Sequence, residues 1–173
     1  MLFLRALGSI AVLPGTALVI VPGTLLWGSS GTVWMADPGA TSALGVIFGA
    51  VCGLLGLALA GWTIIDFARS GKGTLAPWDP PVNLLVTGPY THVRNPVITG
   101  IALLLVAEAL LLHSLLITAW AVFFFLINTA YIPKKEEPGL VRKFGDQYEI
   151  YRENVPRWIP RLTPWRPPPD MRS

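Results

Sequence analysis

"GPYTHVRNPVITG", residues Gly88 to Gly100, sets a tyrosine, a histidine, an arginine and an asparagine between two long apolar runs. The second run then begins with a proline. Asn95–Pro96 is a helix-start signal. Asparagine favours the N-cap, and proline suits the first helical position, where its missing N–H is no loss. A helix is therefore expected to begin at Pro96. A helix N-terminus carries about half a positive charge and presents N–H groups that attract anions. Arg94 adds a full charge beside it. The stretch reads as a preformed carboxylate or phosphate pocket. The plainer reading is a capped helix whose Arg94 touches lipid phosphate. Gly88 and Pro89 make the turn before the helix, and Gly100 leaves room for a neighbour to pack on its first turn.

Working outward, four hydrophobic segments are visible, at 7–27, 43–65, 97–112 and 115–131. Of 173 residues, 53% are hydrophobic and 13% charged. That charged share is about half of the roughly 25% usual in soluble domains. The first two segments meet the ~20 residues needed to cross hydrocarbon. The last two are shorter and separated only by His113 and Ser114, which predicts a tight helical hairpin. The first run is too long for the roughly 7–15-residue core of a signal peptide, and Pro14 and Pro22 are expected to kink it. The expectation is an all-α integral membrane fold of about four transmembrane helices, in a single domain over 1–166.

All thirteen Lys and Arg fall into three regions: Arg5; Arg69, Lys72 and Arg94; and the nine from Lys134 to Arg172. The connections 28–42 and 113–114 carry none. Four spans place the three basic regions on one side, which is the positive-inside pattern and makes both termini cytoplasmic. The net charge of +3 then reflects topology and contact with anionic membrane lipid, and a nucleic-acid partner is disfavoured. A single cysteine, Cys52, excludes an internal disulfide and any cysteine-based zinc site, and no metal is expected. A transporter is disfavoured as well, since Glu108 alone is ionisable deep within a span.

Polar residues collect on the basic side. In "KKEEPGLVRKFGDQYEIYRENVPR", Pro138 can open a helix. Leu140, Phe144, Tyr148 and Tyr151 recur on one helical face. An amphipathic interfacial helix over 138–153 is expected. The adjacent Glu136 and Glu137 sit badly beside an anionic leaflet unless they have partners; Lys134 and Lys135 could neutralise them. Counting from the hairpin, Asn128 falls beside Thr99 and Gly100, beneath the anion pocket. Asp66 can pair with Arg69 at i, i+3. The end of the chain, "TPWRPPPDMRS", has too much proline to pack, and 167–173 is expected to be disordered.

The two polar stretches, in this order and around a two-helix hairpin, resemble the isoprenylcysteine carboxyl methyltransferase and phospholipid methyltransferase superfamily of integral-membrane enzymes. The resemblance runs from about Gly71 to Arg161. "GKGTLAPWDPP" upstream is similar to bacterial members, which implies a bacterial inner membrane. The resemblance implies methyl transfer from S-adenosylmethionine, with S-adenosylhomocysteine as product. It implies one cofactor wall of Tyr90, His92, Val93, Arg94, Asn95 and Pro96. Glu136, Glu137, Tyr148, Tyr151 and Arg152 are implied as the other, with Gly100 and Asn128 beneath. The residues fit that ligand. Its carboxylate suits Arg94 and the helix N-terminus, its ammonium and ribose suit Glu136 or Glu137, and its sulfonium suits an aromatic face such as Tyr90 or Tyr148. Many members have His where this chain has Asn95, and Asn cannot move a proton. The acceptor is expected to be a lipid or a lipophilic small molecule. A carboxylate acceptor would be held by Arg157 or Arg152, and an amine deprotonated by Glu136 or His92. The alternative is a non-catalytic membrane scaffold that binds anionic lipid through its basic tail. The sequence specifies no oligomeric state.

Overall fold

The computed structural model describes residues 14–28, 43–70 (backbone only at 67–70), 84 and 86–169. It is helical, with no strand among the described residues. We number the helices α1 (Thr16–Gly28), α2 (Ala43–Ser70), α3 (Pro96–Leu111), α4 (Leu115–Tyr131), α5 (Glu137–Phe144) and α6 (Asp146–Asn154).

The principal pairing is α2 against α3, and small residues make it. Gly49, Cys52, Gly56 and Thr63 are buried along one face of α2. A Cβ added to Gly56 would lie 2.9 Å from the Gly100 carbonyl oxygen, and one added to Gly100 would lie 3.2 Å from the Gly56 oxygen. The two backbones therefore touch. Close approach through small residues is how helices gain dispersion contact where lipid removes the hydrophobic drive. What packs on the first turn of α3 is thus α2.

The expected hairpin joins α3 to α4. His113 takes a positive φ of 53°, and the Ser114 Oγ accepts a hydrogen bond from the Ile117 N–H at 3.3 Å. On the other side, Ala17 of α1 packs with Ile101, Leu105 and Ala121. The Trp120 indole donates to the Ala17 carbonyl at 3.0 Å.

Two of the described helices are long and apolar enough to cross a membrane: Ala43–Asp66, and Leu115–Phe144 with the extension of α4 included. Thr16–Gly28 and Pro96–Leu111 are apolar but shorter. Leu44, Ile47, Phe48, Leu54 and Leu57 on α2, and Val122, Phe123 and Leu126 on α4, face outward. An apolar belt of this kind belongs in lipid rather than water. The chain is a membrane protein. Residues 7–13 of the first expected span lie outside the described residues, as does the Arg69 side chain expected to pair with Asp66.

Two helices widen just before a proline. Thr16–Ile20 is a π-helical turn whose following N–H, of Val21, bonds back to the Thr16 carbonyl; Pro22 comes next. Ile132–Glu136 is a second, with the Glu137 N–H on the Ile132 carbonyl and Pro138 next. A proline ring clashes with the carbonyl four residues back. A shift to i→i−5 bonding moves that carbonyl away, so the chain bulges instead of breaking.

Three expectations are corrected. Pro138 does not open a helix, because α4 continues through the wide turn into α5. The helix expected over 138–153 is two helices, broken at Gly145, whose φ of 55° ends α5. Leu140, Phe144, Tyr148 and Tyr151 still meet, but by convergence of α5 and α6 in one cluster with Val86 and Val155. The proline-rich end also packs in part. Trp165 lies 5.9 Å from the Tyr151 ring, and its N–H donates to the Thr91 carbonyl at 2.9 Å.

Candidate functional site

Beyond Tyr131 the α4 helix leaves its apolar stretch and carries Lys134, Lys135, Glu136 and Glu137. At that level Glu137 is 5% exposed. Its Oε1 accepts from Arg94 Nη1 at 2.8 Å and from Arg157 Nε at 2.8 Å. Its Oε2 accepts from Arg157 Nη2 at 2.9 Å. One carboxylate thus ties together the loop before α3, the extension of α4 and the segment after α6. Burial alone would raise the Glu137 carboxyl. The Arg157 hydrogen bonds, with the charges of Arg94, Arg157 and Arg152, outweigh it and hold the group below its ordinary range. Arg94 Nε is buried with no hydrogen-bond partner. Two guanidiniums on one carboxylate leave a net positive charge.

Glu136, one residue earlier, is exposed. The protein gathered around it, and then the Glu137 charge, push its carboxyl above the ordinary range. The adjacent glutamates are therefore shifted in opposite directions: Glu137 is held as an anion by its arginines, and Glu136, open to solvent, is more readily protonated than a free carboxyl.

The aromatic residues line the same region. The Tyr151 hydroxyl donates to the Tyr90 carbonyl at 2.8 Å, which fixes the turn before α3. Tyr148 is buried beside Tyr151, rings 6.0 Å apart, and burial followed by the Glu137 charge pushes its hydroxyl up to about 12. Burial, then Glu136, then Asp66, raise the Tyr90 hydroxyl too.

The segment after α6 straps across the loop. Arg94 N–H donates to the Pro156 carbonyl at 2.9 Å, and Arg161 N–H to the His92 carbonyl at 3.0 Å. The contact between His92 Nδ1 and the Arg161 carbonyl, 2.7 Å, requires Nδ1 to carry the proton, because a carbonyl only accepts. In neutral His92, Nε2 is then the basic nitrogen.

Other expected residues have packing roles. Val93 is fully buried, and so is Pro96. Asn95 stands at the N-cap position, but its side chain does not cap α3; its Nδ2 points to the Arg157 carbonyl at 3.5 Å. The capping expectation is corrected on that point, while Pro96 does hold the first helical position. Gly100 rests on α2. Asn128 donates to the Phe124 carbonyl of its own helix at 2.8 Å. Arg152 is largely exposed and pairs with Glu149 at 3.3 Å. A cleft of about 370 Å³ opens beside Glu137, lined also by Pro133, Pro138, Val141, Arg142, Glu149 and Arg152.

Asp66 was not expected here. Thr87 Oγ1 donates to its Oδ2 at 2.9 Å. Gly88 has a φ of +50°, and a Cβ there would fall 2.6 Å from the Asp66 carboxylate carbon. The end of α2 thus supports the turn that carries Tyr90. An acid closing an apolar helix was the one signal for it. Trp62 of α2, with its ring 5.7 Å from His92, gave none.

Fold and site define a helical membrane protein whose polar residues gather at one mouth of the bundle, crosslinked by a buried carboxylate. The chain belongs to the phospholipid methyltransferase family, which matches residues 44–147. It is 37% identical over 87 residues to methanethiol S-methyltransferase 2 of Bradyrhizobium diazoefficiens, covering 49% of this chain and 31% of that protein. It is 33% identical over 129 residues to protein-S-isoprenylcysteine O-methyltransferase of Schizosaccharomyces pombe, covering 70% of this chain and 50% of that one. The chain thus spans half or less of the length of these relatives.

Proposed function

We propose that this chain is an S-adenosylmethionine-dependent methyltransferase that methylates a lipophilic or lipid acceptor at the cytoplasmic face of a bacterial inner membrane, with four spans and both termini cytoplasmic. The observation that carries the reading is the Arg94–Glu137–Arg157 cluster, which joins the two polar stretches into one site.

The donor set fits the cofactor. The excess positive charge and the orphaned Arg94 Nε suit its carboxylate. Glu136, open and adjacent, suits its ammonium or ribose. Tyr90 and Tyr148 offer aromatic faces to a sulfonium. Glu137 is already saturated by two arginines, so its part is to hold the walls together. When bound, the cofactor supplies an electrophilic methyl group, and the reaction class is transfer of that methyl to a nucleophile.

The chain's own residues then position the acceptor and exclude water. His92, with Nδ1–H held by the Arg161 carbonyl, offers Nε2 as the base for an amine or a thiol. The names of the two relatives give methyl transfer to sulfur and to oxygen, so a thiol joins the amine and carboxylate already considered. Arg157 commits Nε and Nη2 to Glu137 and has Nη1 left to hold a carboxylate acceptor.

The test is calorimetric binding of S-adenosylhomocysteine to the purified protein, in detergent and in lipid, beside Arg94→Ala and Glu136→Gln variants. Micromolar binding, lost in Arg94→Ala and weakened in Glu136→Gln, is the expected result. No binding to the wild type in either medium would overturn the reading and leave a lipid-binding scaffold.

A further inference from the structure

After α6 the chain runs "VPRWIPRLTPW" from Val155 to Trp165, without regular structure. Two of its large apolar side chains point outward: Ile159 is 80% exposed and Leu162 99%. Trp158, immediately before Ile159, packs on Phe125 of α4 with rings 5.4 Å apart. Phe125 lies six residues before Tyr131, which at ~1.5 Å per residue is about 9 Å inside the end of the apolar helix. The Thr99 hydroxyl, in the first turn of α3, donates to the Trp158 carbonyl at 3.3 Å. This strap therefore sits at the depth of the outermost apolar turns of α3 and α4. Arg166, exposed, follows on the same segment.

Irregular backbone is excluded from lipid unless its polar groups are paired. Here many of them are. Pro156, Pro160 and Pro164 have no N–H to satisfy. The carbonyls of Pro156, Arg157, Trp158 and Arg161 accept hydrogen bonds from Arg94, Asn95, Thr99 and His92. The N–H groups of Val155, Arg161 and Trp165 donate to Tyr151, His92 and Thr91.

We propose that the strap is a membrane-inserted loop: Ile159 and Leu162 enter the headgroup–acyl boundary of the leaflet, and Arg166 meets lipid phosphate. The partner is the lipid surface itself. The inference rests on the membrane reading of α4 and is independent of methyl transfer. The same strap supplies Arg157 to Glu137 and the Arg161 carbonyl to His92, so its seating in the leaflet also orders the site.

The test uses the full chain in lipid nanodiscs with Cys52→Ala, leaving one engineered cysteine for an environment-sensitive fluorophore. Leu162→Cys is compared with Ile159→Cys and, as a water-facing control, Glu153→Cys on α6. Both strap labels are expected to show blue-shifted emission, with quenching by lipids nitroxide-labelled near the headgroup and protection from aqueous iodide. The Glu153 label is expected to show the reverse. Iodide quenching of the strap labels equal to that at Glu153, without lipid-nitroxide quenching, would overturn the proposal. All three positions are exposed, so the labels leave packing intact.

Discussion

Replacing Glu137 by glutamine tests the centre of the structure with almost no change of shape. The carboxylate is 5% exposed and receives three short bonds from two guanidiniums. Hydrogen bonds to charged groups contribute roughly 1.5–3 kcal/mol each, and removing one partner of a buried ion pair destabilises by about 3–5 kcal/mol. Arg157 is 28% exposed, so water compensates part of its loss. Arg94, at 10%, has no such relief. Glutamine keeps an acceptor oxygen but leaves two like charges facing each other. We expect a loss of about 3 kcal/mol, which at roughly 2–4 °C per kcal/mol for a chain of this size lowers Tm by about 6–12 °C. Glu136→Gln, one residue away and exposed, should move Tm by less than ~2 °C, in keeping with the ±0.5 kcal/mol typical of surface substitutions. The pH dependence has a definite sign. The folded-state carboxyl of Glu137 is depressed, so its contribution is fully present above the ordinary value of 4.5 and disappears only as pH falls through the lower folded value. The gap between wild type and Glu137→Gln should therefore hold from neutrality down to about pH 4.5 and close progressively below it. Equal Tm values for the two glutamine variants at pH 7, measured in one detergent and again in nanodiscs, would refute the reasoning.

Three further outcomes follow from the packing. Gly56→Val drives side-chain atoms into the Gly100 carbonyl and should destabilise by more than the usual 1–3 kcal/mol of overpacking. Gly53→Ala, whose added carbon would sit 3.4 Å from the Ala107 Cβ, should stay within about 0.5 kcal/mol in the same thermal assay. Gly88→Ala should lose about 1–2 kcal/mol for its left-handed backbone and more from the Asp66 clash; Asp66→Ala in the same chain should recover the second part only. Tyr151→Phe deletes the bond to the Tyr90 carbonyl and should lower stability by roughly 0.5–1.5 kcal/mol, with a matching weakening of S-adenosylhomocysteine binding if that turn forms the cofactor wall.

The helices were legible because their signals are local. Composition and run length marked α2 and α4, Asn95–Pro96 marked the start of α3, and His113–Ser114 marked the hairpin. The glutamate pair was legible as a problem: two acids on an anionic surface needed partners. The partners themselves were hidden, because Arg157 lies twenty residues beyond Glu137 on a segment with no periodicity. The break at Gly145 was hidden for a different reason. The apolar spacing of Leu140, Phe144, Tyr148 and Tyr151 suits one continuous helix, and only the positive φ at Gly145 shows that two helices satisfy it by converging. Asp66 could be read only as a neighbour of Arg69, since its contact with Gly88 crosses a loop. Trp165 was discounted by its proline neighbours. Yet Pro164, like Pro156 and Pro160, spares the strap a donor to pair.

The position of Asn95 bears on how the site divides its work. Asn95, directly before Pro96, neither caps α3 nor titrates, and its amide points toward the Arg157 carbonyl. Positive charge in the site is then left to Arg94 and Arg157, and their geometry is set by one buried carboxylate. His92, whose tautomer is fixed through the Arg161 carbonyl, is the residue proposed for proton handling where the acceptor requires it. Both arrangements depend on the same strap. A chain ending before Pro156 would lose Arg157 from Glu137 and the carbonyl from His92 together, although neither Glu137 nor His92 lies in the deleted part. The proposed site is therefore the loop before α3 with the strap after α6, held across the wide turn that Pro138 forces into the end of α4.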